Sequence, residues 1–294
     1  MTLFFQLLIT GIVVGSIYGL VALGFVLIYR ASDALNLANG EFVLIGAYIC
    51  LTVITVLDIP FVYALLITLI ISALVGLIVE RLVLRPLQNA PVISVIMATI
   101  GLSSLLGGAV HMIWGTQPKS YPPIFPATPV QFSGIVISPV YLWSFIIVII
   151  LLIAFSIFFK YSKLGIAMRA VADDQQAALS MGISVKAVYA LTWAIAAVVA
   201  AVGGILLGNI EGVSATISTI GLTVLPVVIL GGLDSILGAI IGGFIIGIIQ
   251  NLAGGYLDPL VGGGLKEVVP FIIIVIILMI KPYGLFGKGG IERV

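Results

Sequence analysis

KYSKLGIAMRAVADDQQAALSMGISVK, Lys160 to Lys186, is a charged, helix-forming segment in a chain that is otherwise apolar from end to end. It carries four of the twelve Lys and Arg residues and two of the eleven Asp and Glu. Apolar runs of membrane length flank it, about Val140–Phe159 before and Ala187–Gly208 after. Hydrocarbon does not accommodate such charge, so the segment reads as a loop in water, and its basic excess assigns that loop to the cytoplasmic side.

Working outward, the composition excludes a soluble domain. The chain is 62% hydrophobic and 8% charged, where soluble domains carry about 25% charged residues. Its mean hydropathy is +1.37. Further apolar runs fall at about Leu3–Tyr29, Phe42–Leu57, Phe61–Val79, Val92–Trp114, Ile220–Gly231, Ile236–Leu252 and Val268–Ile280. A bilayer core of about 30 Å needs roughly 20 helical residues. The expected fold is therefore all-α, a polytopic transmembrane helical bundle of about 7–9 spans. Ile220–Gly231 is too short to cross comfortably and reads as a broken or re-entrant helix. Gly11, Gly15, Gly19 and Gly24 offer places for the long first run to bend, and the 34 glycines suit close helix packing.

Charge orients the bundle. Arg81 and Arg85 follow the third run, and Lys281, Lys288 and Arg293 follow the last. The proline-rich stretch Gly115–Pro139, with only Lys119, reads as an extracytoplasmic loop. This pattern puts the N-terminus outside and the C-terminus inside. The N-terminal run has no basic lead-in and reads as a retained helix. Charge is too sparse and too balanced for a nucleic-acid partner.

Within the charged loop, Asp173 and Asp174 are N-cap residues, QQAALSM is helix-forming, and Gly182 stands where a C′ glycine ends a helix. A short helix from about Asp174 to Met181 is expected, with Ala177, Ala178 and Met181 giving its surface a small apolar face. Such a face suits a groove on another protein. The competing reading is an amphipathic linker resting on membrane lipid.

Two polar interruptions break the apolar runs: Arg30–Glu41 (RASDALNLANGE) and Gly231–Ser235 (GGLDS). Paired interruptions in the two halves of a transporter point to its substrate path. Asn36, Asn39, Gly40 and Glu41 are candidates from the first, and Gly231, Gly232 and Asp234 from the second. The first also reads as a cytoplasmic turn with Arg30, Asp33 and Glu41 solvated. Gly238 and Gly242 read better as a packing face. His111, the lone histidine, cannot make a metal site, and no cofactor site is expected. Glu80 and Arg81 read as a solvated helix end, and Cys50 as a small core residue. No phosphate-cradling Gly-x-x-x-x-Gly-Lys-Ser/Thr pattern occurs, so the chain is not expected to hydrolyse ATP itself.

Several of these segments carry a resemblance. RAVADDQQAALSMGI (Arg169–Ile183) resembles the cytoplasmic loop of bacterial ABC importer permeases, in the variant found in branched-chain amino-acid permeases. NLANGEFVLIGAY (Asn36–Tyr48), VILGGLDSILGAIIGGFIIG (Val228–Gly247) and KPYGLFGK (Lys281–Lys288) are similar, in order, to three further segments of that family. Leu37, Asn39 and Asp234 depart from its pattern. The length and ending resemble the H-type of the two permeases these systems use.

The resemblance implies a single permease domain over residues 1–294, with a coupling loop at about 160–186. It implies import of branched-chain or related amino acids across the cytoplasmic (inner) membrane of a prokaryote. Cytoplasmic ATP-binding subunits, a second permease subunit in a heterodimer and an extracytoplasmic binding protein would be the partners. Arg169, Asp173, Asp174, Ala177, Ala178, Met181 and Gly182 would form the coupling site. The rival is a secondary transporter or channel for small amides, urea or amino acids, working without an ATPase. It would need intramembrane ionisable groups, for which Asp234, Glu41 and His111 are the candidates.

Overall fold

A computed structural model of the chain describes residues 2–32, 35–88, 90–125, 128–132 and 135–287. The expectations for Asp33, Lys288 and Arg293 lie outside the described residues. Seven helices are long and apolar enough to cross a membrane. They are α1 (Thr2–Ser32), α2 (Asn39–Val56), α3 (Phe61–Val79, running on to Leu87), α4 (Val92–Trp114), α5 (Pro139–Tyr161), α8 (Val185–Glu211) and α10 (Ile236–Tyr256). Two apolar helices are shorter, α9 (Ile220–Gly231) and α12 (Leu265–Ile280). Short helices α6 (Lys163–Asp173), α7 (Gln175–Ser180) and α11 (Asp258–Val261) complete the set. Among the described residues the only sheet is a hairpin, β1 (Val130–Phe132) antiparallel to β2 (Ile135–Ile137), in the proline-rich loop. The chain is an all-α polytopic bundle.

Helix α1 runs unbroken from Thr2 to Ser32, and its glycines have a packing use. They let α10 lie against its backbone. A Cβ on Gly15 would stand 2.6 Å from the Gly243 carbonyl oxygen, and one on Gly247 would stand 2.2 Å from Gly15 Cα. No side chain fits between them, so the antiparallel pair is locked by backbone contact. Gly238 and Gly242 do the same for α9, against the carbonyls of Gly231 and Val227.

Helix α8 is the centre of the fold, packed against α1, α2 and α3. Gly204 takes the Val43 carbonyl, and Gly46 and Gly76 take Ala201 and the Trp193 carbonyl. Helices α3, α4, α5 and α12 form the outside.

At the foot of α3 the helix widens into a π turn, Glu80–Leu84. Glu80 is not solvated, as the sequence suggested: it is 1% exposed and takes a two-point bond from Arg85, at 3.2 and 3.0 Å. A buried carboxylate needs such a cation. Arg81 is exposed, as expected, and Cys50 is buried in the core.

Candidate functional site

The charged segment 160–186 folds into two helices where the sequence suggested one. Ser162 caps α6 by accepting the Gly165 N–H at 2.9 Å. Asp174 caps α7, its Oδ1 accepting from the N–H groups of Gln176 (2.8 Å) and Ala177 (2.9 Å). Gly182, at φ +81°, ends α7. Its N–H reaches the Leu179 carbonyl and the Ile183 N–H reaches that of Ala178, both at 3.0 Å. This paired closure requires a left-handed residue, which glycine supplies.

Two of the expected coupling residues are placed differently. Ala178 is 3% exposed and packs into the chain's own core. The outward surface is Ala177 with Leu179 and Met181, which are 57% and 83% exposed. Arg169 bonds inward: its guanidinium donates to the Phe159 carbonyl and, at 3.1 Å, to that of Lys160. It thereby ties α6 to the otherwise unpaired end of α5. Arg169 and Arg30 also both stack on the Phe159 ring, 5.6 and 5.7 Å from its centroid. Asp173, Asp174 and Gly182 are exposed. Gln175 donates to the Tyr189 hydroxyl at 2.5 Å, joining α7 to α8.

Inside the bundle, the first polar interruption is a buried re-entry. Asn36, Asn39 and Glu41 are 1%, 0% and 9% exposed, so this stretch is not a solvated turn. Asn36 Oδ1 accepts the Ala38 N–H at 3.1 Å, and Thr99 of α4 bonds the backbone at Leu35 and Leu37. Asn39 reaches between α1 and α8, beside Gly24. Gly40 must be glycine, since a Cβ there would stand 2.1 Å from the Ser218 carbonyl oxygen. Glu41 Oε1 accepts from Ser103 of α4 at 3.3 Å. Asn36 Nδ2, both polar atoms of the Asn39 amide and Glu41 Oε2 are buried without a hydrogen-bond partner. Each such group in a core calls for an explanation, and a functional role is one.

The second interruption does not meet the first. What packs on Gly40 is the start of the α9 segment, the 3₁₀ turn Ala215–Thr219 and Gly221. Gly231 and Gly232 lie at the far end of α9, about 15 Å away by helical rise. They serve as a seat for the C-terminal segment. Leu285 N–H bonds the Leu230 carbonyl at 2.8 Å and Phe286 N–H bonds that of Gly231 at 3.1 Å. Gly232 has φ +104°, and a Cβ on it would stand 2.5 Å from Gly287 N. Half-buried Asp234 lies beside Gly287 in the same knot. The GGLDS stretch thus packs on the C-terminal segment, and it is the opposite end of the short Ile220–Gly231 helix that meets the first interruption.

His111 is exposed on α4, its Nδ1 donating to the Gly107 carbonyl at 2.7 Å. Among the described residues no group of three potential metal ligands comes together.

A family model described as branched-chain amino acid transport system / permease component matches residues 7–278. The chain is 32% identical over 307 residues to the high-affinity branched-chain amino acid transport system permease protein LivH of Escherichia coli (strain K12), covering 99% of this chain and 98% of that one. It is 30% identical over 305 residues to the corresponding permease BraD of Pseudomonas aeruginosa, with the same coverage. A probable branched-chain amino acid transport permease, LivH of Methanocaldococcus jannaschii, is 32% identical over 290 residues, 94% of this chain and 90% of the relative.

Proposed function

The chain belongs to the branched-chain amino acid transport permease family, and from that membership we propose that it is the membrane subunit of an ATP-driven importer. Its substrates are branched-chain or related amino acids, and its site is the cytoplasmic membrane of a prokaryotic cell. Residues 1–294 act as one permease domain with a coupling loop at 160–186. ATP hydrolysis belongs to separate cytoplasmic subunits, delivery to an extracytoplasmic binding protein, and a second permease completes the membrane unit.

The observation that carries this reading is the capped α7 and its ties. It offers Ala177, Leu179 and Met181 outward and is bonded inward through Gln175 to α8. The adjoining α6 is bonded through Arg169 to α5. A push on α7 therefore reaches two membrane helices. Through the Arg30–Phe159–Arg169 stack it also reaches the end of α1, just before the buried re-entry. Asn36, Asn39, Gly40 and Glu41 form the wall past which substrate moves. Their buried polar atoms are suited to a zwitterion that must shed water to cross.

The test is purification of the tagged chain from native membranes in gentle detergent, followed by reconstitution. Co-purifying ATPases and a second permease, with leucine uptake that requires ATP and the binding protein, support the reading. A chain that arrives alone and catalyses uptake without ATP refutes it.

A further inference from the structure

At the end of α5 two guanidiniums share one ring. Arg30 of α1 and Arg169 of α6, both half-buried, lie 5.7 and 5.6 Å from the Phe159 centroid. Among the described residues no other ring carries two cations, and neither arginine is in an ion pair, the one salt bridge being Glu80 with Arg85. Arg169 spends donors on the Phe159 and Lys160 carbonyls. Arg30 makes no side-chain hydrogen bond to a described residue. A guanidinium presents five N–H donors in a planar fork, so most of theirs are unspent within the chain. Like charges held on one ring repel, and an anion set between them relieves that repulsion.

The surroundings add to the positive charge and set its depth. Lys160 and Lys163 are exposed, and no acidic residue follows Phe159 until Asp173, at the far end of α6. Helix α6 exposes Leu164 and Ile166 beside these cations, and Tyr161 is exposed with the Lys160 ammonium 5.2 Å from its ring. Exposed apolar, aromatic and basic side chains in one short stretch suit the level of the lipid headgroups.

A second observation lies next to the shared ring, on the bilayer side. Phe159 stacks on Phe155 with 6.1 Å between centroids. Phe155 and Phe158 in turn wall an open groove of about 330 Å³ between α3, α5 and α8, floored by Leu20 of α1. Every residue lining it is apolar. Along α5 it runs from Phe158 back to Leu151, about 10 Å of helical rise away from the arginines. Acyl chains fill any apolar groove in a bilayer, and cations collect on cytoplasmic loops in any case. Neither tendency accounts for two arginines stacked at the mouth of one groove.

We infer that the Arg30–Phe159–Arg169 stack and the adjoining groove form a binding site for one anionic phospholipid. The two guanidiniums hold the phosphate by charge-assisted hydrogen bonds, Lys160 and Lys163 stand at the rim, and one acyl chain lies in the groove. A zwitterionic lipid offers the same chains but brings its own ammonium to an already basic mouth, so a lipid of net negative charge is the occupant. The site depends on α1, α5 and α8 lying in a bilayer and not on what the protein transports.

The test uses two photoreactive lipids with a diazirine in the acyl chain, a phosphatidylglycerol and a phosphatidylcholine. Each is added at the same mole fraction to phosphatidylcholine nanodiscs holding the protein with its co-purifying subunits, and labelled peptides are mapped by mass spectrometry. The phosphatidylglycerol probe should label residues 151–158 and 195–202 several-fold more than the phosphatidylcholine probe. Arg30→Gln should bring the two probes level, while Arg81→Gln, which removes an exposed cation on α3, should leave the preference intact. Equal labelling by both probes in the unaltered protein, or the same loss in Arg81→Gln, shows ordinary bilayer contact and overturns the inference. The comparison of probes needs no variant, so it decides the matter even where Arg30→Gln fails to insert. Millimolar glycerol 3-phosphate should not compete; removal of the preference by it would assign the arginines to a soluble phosphate and overturn the lipid. Loss of ATP-dependent uptake with the preference intact would count against the transport reading and not against this site.

Discussion

Gly182→Val separates coupling from folding. A Cβ at Gly182 meets no atom within 4 Å, so there is open space at its first side-chain atom. The effect at issue is the backbone at φ +81°. Holding an L-residue there costs about 1–2 kcal/mol, with a β-branched residue at the upper end. Helix α7 has six residues and cannot stand on propensity alone. Its order depends on the Asp174 cap, worth about 1 kcal/mol, on the Gly182 closure, and on the Ala178 and Gln175 contacts. Losing 1–2 kcal/mol therefore lowers the ratio of ordered to frayed α7 by about 5- to 30-fold. Membrane insertion and the core are untouched, since residue 182 is exposed. In proteoliposomes with the partner ATPases and loaded binding protein, substrate-stimulated ATP hydrolysis should fall by a comparable factor. Hydrogen exchange should show faster amides across 177–183. Gly182→Asn, which accepts the left-handed region, should retain most of the stimulation. Normal stimulation in the valine variant, with α7 shown to be frayed, would refute the coupling role of this helix.

Gly40→Ala should abolish uptake while the protein still inserts, because its Cβ would sit 2.1 Å from the Ser218 carbonyl and force the re-entry off the α9 segment; uptake and membrane content, measured together, check it. Arg85→Met leaves Glu80 buried without its cation. It should lower stability by up to about 3 kcal/mol, discounted for the partly hydrated guanidinium. Thermal unfolding in detergent should also show the Glu80→Gln/Arg85→Met pair recovering much of that loss. Asp234→Ala should leave the KM for uptake unchanged, since the residue lies in the C-terminal knot and not at the re-entry; a raised KM would return it to the path.

What the sequence made legible was local. Asp174 and Gly182 set the ends of α7 because caps depend on the residues immediately around them, and the apolar runs set the spans because bilayer thickness fixes helix length. What it hid was pairing. Nothing in GGLDS says that its glycines receive Phe286 and Gly287, nor that Gly40 needs Ser218, because those contacts join positions far apart in the chain. Glu80 was misread for the same reason. A charge beside an apolar run looks solvated until the carbonyls or the cation that hold it are in view. Ala178 was lost to a finer ambiguity, since adjacent residues on so short a helix diverge by about 100°.

The knot at the C-terminal end of α9 sets an order of events in the making of the protein. The carbonyls of Leu230 and Gly231 are closed by N–H groups of Leu285 and Phe286, which leave the ribosome long after them. Until then those two carbonyls, at the turn of the α9–α10 hairpin, lack the N–H groups that close them in the folded chain. Positive-φ Gly232 and Gly284 hold the two strands of the knot face to face, a Cβ on Gly284 lying 2.4 Å from the Ile229 carbonyl oxygen. Maturation of this hairpin is thus a step that follows synthesis of α12, and a chain stalled at Lys281 would present an inserted but unfastened hairpin to the quality-control machinery.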